Sequence, residues 1–255
     1  MLAIERKKLI LDYLKKRHYA TVSELADSFH VHEATIRRDL SAMQKEGVLF
    51  RTHGGVTINE DDEIHSEPSF NEREIAEYNE KQQIGLAAAE MIQDGDHILL
   101  DSGTTTLHIA KSILDKKDLT VVTNDINIAS TLRNQKDIKV IVTGGILFPE
   151  SYMLNGKFTD DVLQSLNLHK AFVGTPAIHF QRGITHFDDQ LVSAKQNMIA
   201  AAREIIAVAD HTKFGRVSLH KVADVHQIDC IITDRHIDPE ELQRWQDINM
   251  DLHLA

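Results

Sequence analysis

Six short apolar segments, each followed by small or polar residues and then by a predicted helix, repeat along the chain from His97 onward. A repeated order of strand and then helix predicts a mainly parallel β-sheet with helices packed on its faces, the α/β class. The carboxyl ends of parallel strands lie along one edge of such a sheet, so we expect the polar clusters to converge there. The predicted strands are 98–100, 121–122, 140–142, 171–173, 205–208 and 231–232.

The polar clusters favour an anionic ligand that carries hydroxyl groups. Gly103 and the threonines after it stand between a strand and a helix predicted to begin near Leu107, where backbone N–H groups and hydroxyls can surround a phosphate. Lys213 supplies a cation after the fifth strand, and Asp101 and Asp210 can bind sugar hydroxyls. Helix caps, tight turns and solvated surface charges are the structural alternatives. The candidate binding residues are Asp101, Ser102, Gly103, Thr104, Thr105, Thr106, Thr123, Asn124, Gly144, Gly145, Gly174, Asp210 and Lys213.

The first 58 residues differ from the rest of the chain in charge. They hold ten Lys or Arg and seven Asp or Glu, a net charge of +3, whereas the remaining residues hold 18 and 32, a net charge of −14. Attraction to nucleic-acid phosphates depends on the local number of cations, so a chain with this balance does not coat nucleic acid indiscriminately. Any binding to nucleic acid is expected to be confined to the first 58 residues, here called the head.

Three amphipathic helices are predicted in the head. The first runs from about Ile4 to Lys16, the second begins at the capping box Thr21-x-x-Glu24, and the third begins near Glu33. Burial of the apolar face of the third helix leaves its polar and cationic side chains facing outward. The apolar residues at helical spacing on that helix are Ile36, Leu40 and Met43.

A hairpin is predicted after the third helix. Gly47 is placed to end the helix, and two short strands around a turn at 53–55 predict a two-stranded wing that carries Arg51. Three short helices followed by a hairpin indicate a winged helix-turn-helix, whose third helix enters the DNA major groove while the wing lies beside the phosphates. Solvated arginines on an ordinary helical domain are the alternative. The candidate DNA-binding residues are Thr35, Arg37, Arg38, Ser41, Arg51, His53, Gly54 and Gly55.

The segment between the two patterns is acidic and rich in turn-forming residues. It predicts a solvated linker over residues 59–69. The predicted organisation is therefore a winged helix-turn-helix domain at 1–58 and an α/β domain at 70–255. A helix with Ile84 and Ile92 on its buried face opens the second domain.

Composition argues against disulfides, metal centres and membrane spans. Cys230 is the single cysteine and lies in an apolar run, so a buried thiol is expected. The 15 histidines are scattered, and the closest pair, His30-x-His32, has no carboxylate or cysteine partner nearby, so neither a metal site nor another cofactor is predicted. No window approaches the roughly 18 apolar residues of a membrane-spanning helix, and Met1 opens charged sequence rather than a secretory leader. We expect a cytoplasmic protein that does not contact membranes.

The motifs of both predicted domains resemble those of the DeoR family of bacterial sugar-metabolism repressors. In the head the resemblance is carried by Arg37-Arg38-Asp39-Leu40, Glu46-Gly47-Val48-Leu49-x-Arg51 and His53-Gly54-Gly55. In the second domain it is carried by Lys81-x-x-Ile84-Gly85, Asp94-Gly95-Asp96, Leu100-Asp101-Ser102-Gly103-Thr104-Thr105, Thr123-Asn124, Gly144-Gly145, Lys195 and Asp210-x-x-Lys213-Phe214. The departures are His32 in place of the usual serine cap, Val56 in place of the usual alanine, and the segment 174–178 in place of a glycine-rich loop.

The resemblance implies an effector domain that is similar in fold to ribose-5-phosphate isomerase and that senses phosphorylated sugars. It adds Lys195 to the candidate binding residues. The implied function is repression of a sugar-catabolism operon, with release from operator DNA by the sugar phosphate. One small head makes few phosphate contacts, so two linked heads are needed for tight binding and a homo-oligomer, dimer or tetramer, is expected.

Two other functions would use the same residues. A transcriptional activator would bind the same DNA and the same metabolite, and only the expression of the regulated operon distinguishes it from a repressor. A sugar-phosphate isomerase would need Asp101, Asp210 or Asp234 to move protons together with Lys213. The sequence contains no close carboxylate pair with a dedicated lysine in one motif, so no enzymatic activity is predicted.

Overall fold

The computed structural model describes residues 3–17, 19–45, 49–51, 55–57, 63–64 and 68–255. The chain divides into two compact units, Met1–Asp62 and Glu63–Ala255. In chain order, the elements of the first unit are α1 (Ala3–Arg17), β1 (Tyr19–Ala20), α2 (Val22–Phe29), α3 (Glu33–Lys45), β2 (Phe50–Arg51) and β3 (Val56–Thr57).

One apolar core holds the first unit together. A capping box starts α2, because the Glu24 N–H donates to the Thr21 hydroxyl at 3.1 Å and the Thr21 N–H donates to the Glu24 carboxylate at 2.7 Å. Both bonds satisfy backbone donors that have no partner inside the helix. The prediction of three helices with a buried face on the third is confirmed. The core residues are Ile10, Leu14, Ala20, Leu25, Ala26, Ile36, Leu40, Met43, Leu49 and Val56.

The strands of the head form a three-stranded antiparallel sheet in the order β1-β3-β2, rather than the predicted two-stranded wing. The additional strand is β1, whose two residues are too few to show strand periodicity. Ala20 of β1 pairs with Val56 of β3, and both side chains are fully buried. The predicted turn residues Gly47, His53 and Gly54 lie outside the described residues.

Part of the predicted linker belongs to the second unit. Glu63–Ile64 form a short strand, β4, that pairs in parallel with Val217–Ser218. The prediction of a solvated linker throughout 59–69 is therefore wrong for these two residues, because pairing with a distant part of the chain leaves no signal in local composition. Two helices follow, α4 (Phe70–Ile75) and α5 (Tyr78–Glu90).

The rest of the second unit alternates strands and helices. Short 3-10 helices cover Asp189–Leu191, His211–Lys213 and Val225–Gln227. The other elements are β5 (His97–Leu100), α6 (Thr104–Ser112), β6 (Leu119–Thr123), α7 (Ile126–Leu132), β7 (Ile138–Val142), β8 (Ile146–Phe148), β9 (Met153–Asn155), α8 (Lys157–Gln164), β10 (Leu168–Gly174), β11 (Ala177–His179), β12 (Gly183–His186), α9 (Val192–Ala200), β13 (Ala202–Val208), β14 (Val217–Ser218), β15 (His220–Ala223), β16 (Cys230–Thr233), α10 (Pro239–Asp247) and β17 (Asp251–Leu254).

The main sheet has seven parallel strands in the order β17-β16-β13-β10-β5-β6-β7. All six predicted strands are present, and the prediction of a parallel α/β sheet is confirmed. The edge strand β17 was not predicted, because no polar cluster and helix follow it. Successive side chains of a strand point to opposite faces, and Ile98 and Leu99 accordingly belong to the two different apolar cores that cover the sheet.

The order of the strands reverses between β5 and β10. The chain proceeds from β5 outward to β7 in one direction and from β10 outward to β17 in the other. At such a reversal the loops after the two central strands diverge and leave a crevice at their carboxyl ends. Asp101 follows β5 and Gly174 ends β10, so these residues mark the crevice.

Cys230 is buried on β16, as its apolar run predicts, and burial raises the pKa of its thiol to about 12. No helix in the described part of the chain combines the length and the apolar character needed to span a membrane.

Candidate functional site

A cavity lies at the crevice between the loops after β5, β10 and β13. The space between its walls, including the part open to solvent, is about 650 Å³. Nine of the predicted binding residues line it: Ser102, Gly103, Thr104, Thr105, Thr106, Gly174, Lys195, Asp210 and Lys213. The other lining residues are Arg73, Lys81, Ser151, Met153, Thr175, Pro176, His186, Leu191, Val208 and Ala209.

The threonines at the cavity belong to a helix rather than to a loop. α6 begins at Thr104, so the predicted start near Leu107 is wrong by about one turn. The reason is that the Leu107 N–H already donates to the Gly103 carbonyl at 3.0 Å. Thr106 is fully buried, and its hydroxyl donates to the same carbonyl at 2.9 Å. The remaining N–H groups of the first turn have no partner within the helix and can bind an anion.

Asp101 holds the loops around the cavity together. Its carboxylate accepts hydrogen bonds from the Ser102 N–H at 2.8 Å, from the Gly174 N–H at 3.1 Å and from the Lys195 ammonium. Lys195 also donates to the Gly174 carbonyl at 2.8 Å, and it is almost completely buried. The pair ties α9 to the ends of β5 and β10. Asp101 therefore positions Lys195, and it is not among the residues that line the cavity.

Two cations at the cavity were not among the predicted binding residues. Lys81 is 3% exposed, and its ammonium donates to the Arg73 and Ala76 carbonyls, both at 2.5 Å. Burial lowers the pKa of Lys81. The signal was available in the sequence, because Lys81 stands on the same helical stripe as the buried Ile84 and Ala88. Arg73 lines the cavity from α4 and carries no comparable signal.

Asp210 is the acidic member of the cavity wall. It is 1% exposed, and its Oδ1 accepts hydrogen bonds from the Thr212 N–H at 3.1 Å and from the Thr212 hydroxyl. Its Oδ2 lies 3.8 Å from Lys213 Nζ and has no hydrogen-bond partner among the described residues. Burial alone would raise the pKa of Asp210, but Lys213, Thr212 and Lys81 together hold the pKa below its usual value. Asp210 is thus an ionised acceptor beside a cation.

His186 contributes a neutral imidazole. It is 2% exposed, and burial, with Lys195 nearby, lowers its pKa to about 3. Its Nδ1 accepts a hydrogen bond from the Asp188 N–H at 3.1 Å, which assigns the ring proton to Nε2. Nothing in the sequence around His186 distinguishes it from the other histidines.

Five predicted binding residues do not line the cavity, namely Asp101, Thr123, Asn124, Gly144 and Gly145. Thr123 Oγ1 accepts from the Asp125 N–H at 3.1 Å, and the Asn124 amide donates to the Leu154 carbonyl at 3.2 Å. The Gly144 carbonyl accepts from the Thr159 hydroxyl at 2.6 Å. Gly145 has a φ of +125°, and a Cβ there would lie 2.5 Å from the Asn155 carbonyl oxygen. The Asn124 and Gly144 contacts join the ends of β6 and β7 to β9 and α8, whereas the Thr123 bond is local.

The third helix of the head presents its arginines to solvent. Arg37 and Arg38 are exposed, and Thr35 is half-buried. Arg37 Nη2 donates to Glu33 at 2.9 Å across one helical turn. Ser41 is also half-buried, and its hydroxyl donates to the Arg37 carbonyl at 2.7 Å.

The wing is only partly described. Arg51 lies in β2 and Gly55 immediately precedes β3, whereas His53 and Gly54 lie outside the described residues. The backbone of the described wing residues therefore follows the predicted hairpin strands.

Asp39, next to the two arginines, faces the interior of the head. It is 5% exposed and accepts a hydrogen bond from Arg6 Nε at 2.5 Å, which joins α1 to α3. The contact was not predicted, because the two residues are far apart along the chain. One charged residue of the Arg37-Arg38-Asp39 run thus supports the fold while its neighbours remain available at the surface.

We expect Asp39→Ala to lower the free energy of unfolding of the head by about 2 kcal/mol, because it removes a charged hydrogen bond from a guanidinium that is largely buried. Urea denaturation followed by circular dichroism measures the change. Asp27→Ala removes an exposed carboxylate of α2 and is the control. Equal midpoints for the two variants would contradict a stabilising role of the pair.

A small helical head with exposed arginines, joined to an α/β unit with a cationic cavity at the reversal of its strand order, is the architecture of a ligand-sensing, DNA-binding regulator. Residues 6–62 match the family model described as the DeoR-like helix-turn-helix domain, and residues 76–235 match the DeoR C terminal sensor domain. The chain therefore belongs to the DeoR family and is a DNA-binding transcriptional regulator.

Similar proteins span nearly the whole chain. A putative aga operon transcriptional repressor of Escherichia coli is 33% identical, over 98% of this chain and 93% of the relative. The transcriptional repressor GlcR of Bacillus subtilis is 36% identical, over 91% and 88%. The glycerol-3-phosphate regulon repressor of Escherichia coli is 28% identical, over 98% of each chain. Among solved structures, ribose 5 phosphate isomerase A of Neisseria gonorrhoeae has a TM-score of 0.39 at 15% identity over 53% of each chain, a partial likeness on which nothing below depends.

Proposed function

We propose that this protein represses a sugar-metabolism operon and that a phosphorylated sugar, bound in the cavity, releases it from operator DNA. The observation that carries the proposal is the charge of the cavity. Arg73, Lys81, Lys195 and Lys213 line it, and Asp210 is the single carboxylate among its lining residues. An excess of cations around one cavity favours a multiply charged anion.

The cavity offers groups that suit the two parts of a sugar phosphate. The first turn of α6, with Thr104 and Thr105, offers backbone N–H groups and hydroxyls to the phosphate, and Lys213 adds charge. Asp210, beside Lys213, offers an ionised acceptor to sugar hydroxyls, and His186 offers the N–H of a neutral ring. An unphosphorylated sugar would not balance the excess of positive charge in the cavity.

The named relatives support the ligand class. One relative is described as a repressor of a glycerol-3-phosphate regulon, and another as a putative repressor of an aga operon. The first of these names contains a phosphorylated polyol, which has the same two chemical parts as a sugar phosphate. We infer the same class of ligand here from the cavity, and the particular sugar is set by its shape.

The DNA contact is proposed for α3 and the wing. Arg37 and Arg38 are the exposed cations of α3, and Thr35 lies on the same helix. The Ser41 hydroxyl is committed to the helix backbone, so Ser41 contributes less than its position predicts. One head of this size makes few contacts, and we propose a homo-oligomer that places two heads on operator half-sites.

An isomerase activity is not part of the proposal. Of the three carboxylates considered for proton transfer, Asp210 alone lines the cavity, and Asp101 is bound by Lys195 and two backbone N–H groups. General acid–base catalysis requires a carboxylate within hydrogen-bond reach of the proton that moves. We therefore propose that the cavity binds its ligand without converting it.

A thermal-shift screen of the purified protein tests the ligand class. At about 100 times the dissociation constant, a ligand stabilises the folded state by about 2.7 kcal/mol, which corresponds to a rise in Tm of about 5–10 °C for a domain of this size. We expect this rise with at least one phosphorylated sugar and not with the same sugar lacking the phosphate. Equal shifts from both forms, or no shift across pentose and hexose phosphates, would contradict the proposal.

Gene expression tests the direction of regulation. Deletion of the gene is expected to raise expression of the operon whose operator the protein binds, because the repressor is absent. A fall in that expression would identify an activator with the same ligand. The sugar phosphate from the thermal screen should also release labelled operator DNA from the purified protein. Failure to release the DNA would show that this ligand does not control operator binding.

A further inference from the structure

Three side chains next to the cavity, but outside its wall, place their ligand atoms close together, namely His211, Asp234 and His236. The Glu80 carboxylate, from a third segment of the chain, lies beside His236. We propose that the two histidines and Asp234 bind a divalent transition-metal ion of the Zn²⁺ class. The sequence predicts no metal site because no two of the segments are neighbours along the chain. The proposed metal binding does not depend on the identity of the cavity's ligand.

The separations between the ligand atoms fit a shared metal ion. Asp234 Oδ1 lies 3.0 Å from His211 Nδ1 and 3.5 Å from His236 Nδ1, and the ligand atoms of the three residues all lie within 4.8 Å of one another. Bonds of about 2.0 Å in a tetrahedral site place neighbouring ligand atoms about 3.3 Å apart, and a water molecule can supply the fourth ligand. The distance from Asp234 to His236 is longer than an ordinary hydrogen bond and is close to the edge of such a tetrahedron.

The central carboxylate is held in position before any ion binds. Asp234 is almost completely buried, its Oδ2 accepts from the His211 N–H at 2.7 Å, and its Oδ1 accepts from the His236 N–H at 2.9 Å. Backbone bonds of this kind orient a ligand and lower the cost of assembling the site. Both histidines keep solvent contact, with the His236 side chain 67% exposed and that of His211 27% exposed. An ion can therefore reach the cluster from solution.

A second group of possible ligands, Cys230, Asp251 and His253, is less suited to a metal. A bound cysteine must be a thiolate, and burial raises the pKa of the Cys230 thiol to about 12. Its other two members are exposed on β17. We use this group as a control, because His253 also lies beside a carboxylate, with its Nε2 3.3 Å from Asp251 Oδ1, but has a protonated thiol where the proposed site has a second histidine.

The proposed site adjoins two segments that line the cavity. His211 begins a 3-10 helix between Asp210 and Lys213, and Glu80, which lies beside His236, precedes Lys81 at the start of α5. An ion held by His211 and His236 would restrict the motion of the His211 segment and of the side chain that contacts Glu80. If the cavity binds a sugar phosphate as proposed above, the ion is expected to raise the affinity for that ligand, because less ordering remains to be done on binding.

The test uses the full chain after removal of metals with a chelator. Titration with Zn²⁺ by calorimetry is expected to show one strong site per chain, and Co²⁺ is expected to give the visible absorption of a tetrahedral complex. Substitution of the exposed ligand, His236→Ala, should lower the affinity for Zn²⁺ at least about 10-fold. Asp234 is left unchanged in this variant because it also caps the backbone.

The matched controls are His226→Ala and His253→Ala, which remove exposed histidines outside the cluster. Both are expected to bind Zn²⁺ as the wild type does. Equal affinity of His236→Ala and the wild type, or loss of the strong site in His253→Ala, would overturn the proposal. The absence of any stoichiometric site in the wild type would also overturn it and would leave an ion-pair network of histidines and carboxylates. None of these outcomes involves sugar phosphates, so they are distinguishable from a failure of the proposed repressor function.

Discussion

Replacing Arg37 and Arg38 together by alanine is expected to lower the affinity of the protein for its operator about 100-fold or more. Both side chains are exposed on α3, which the winged helix-turn-helix presents to the major groove. An arginine that contacts a base edge contributes about 1–3 kcal/mol, and two independent losses multiply. The fold should be unaffected, because the buried face of α3 and the pair between Arg6 and Asp39 remain.

The ion pair between Arg37 and Glu33 also affects the affinity for operator DNA. The pair is exposed, so it adds little stability and is readily exchanged for DNA. Glu33 nevertheless competes with DNA for the guanidinium and repels phosphates. Glu33→Gln should therefore raise operator affinity a few-fold, in the opposite direction to the arginine substitutions.

Fluorescence anisotropy with labelled operator, repeated at several salt concentrations, measures these effects. The double lysine variant keeps both charges but loses the paired donors of the guanidinium, so it should retain binding to non-specific DNA and lose preference for the operator. Lys8→Ala removes an exposed cation from α1 and is the control. Operator binding by the double alanine variant at the wild-type level would refute the assignment of α3 as the recognition helix.

Local patterns in the sequence were enough to predict most of the regular structure. Ile36, Leu40 and Met43 lie on one face of a helix because their spacing matches the helical repeat. That apolar face is buried in the core of the head. The six predicted strands were visible for a similar reason, since each is an apolar run that ends at a polar cluster. The convergence of Ser102, Gly174 and Asp210 on one cavity then follows from the parallel order of the strands.

What could not be predicted depends on contacts between distant segments. β1 and β4 are two residues long, and each exists because a partner strand elsewhere accepts its hydrogen bonds. From the sequence, Asp39 cannot be distinguished from a charged surface residue, because only the packing of α1 against α3 brings Arg6 next to it. Thr123 and Asn124 do not line the cavity, and their hydrogen bonds to Asp125 and Leu154 show that a polar residue at a strand end can also serve the local structure or join a neighbouring segment.

Lys213→Ala is expected to lower the affinity of the second unit for a phosphorylated sugar about 10- to 100-fold, the value of a charged hydrogen bond. Lys81 and Lys195 each donate two hydrogen bonds within the protein, whereas Lys213 donates one, to the Thr212 hydroxyl at 3.1 Å. The Lys213 side chain is also more exposed than the largely buried Lys81 and Lys195. It can therefore reach a ligand without breaking a buried contact.

Asp210→Asn distinguishes the binding of the phosphate group from the binding of the sugar hydroxyls. The substitution keeps the shape of the side chain but removes a negative charge from the cavity, so inorganic phosphate should bind at least as well as in the wild type. A sugar phosphate should bind more weakly, because the ionised acceptor for its hydroxyls is lost. Lys213→Ala should weaken both ligands. Lys136→Ala removes an exposed lysine elsewhere in the same unit and should change neither.

Release of operator DNA tests whether ligand binding in the cavity controls regulation. Without ligand, both cavity variants should bind operator as tightly as the wild type, since neither residue belongs to the head. A ligand shifts a conformational equilibrium only through its different affinities for the two states. If Lys213 stabilises the ligand in both states, the sugar-phosphate concentration needed for half-release must rise by the factor by which binding falls. A variant with weakened binding in the cavity and an unchanged release curve would instead show that the regulating ligand binds elsewhere, even if the cavity accepts sugar phosphates.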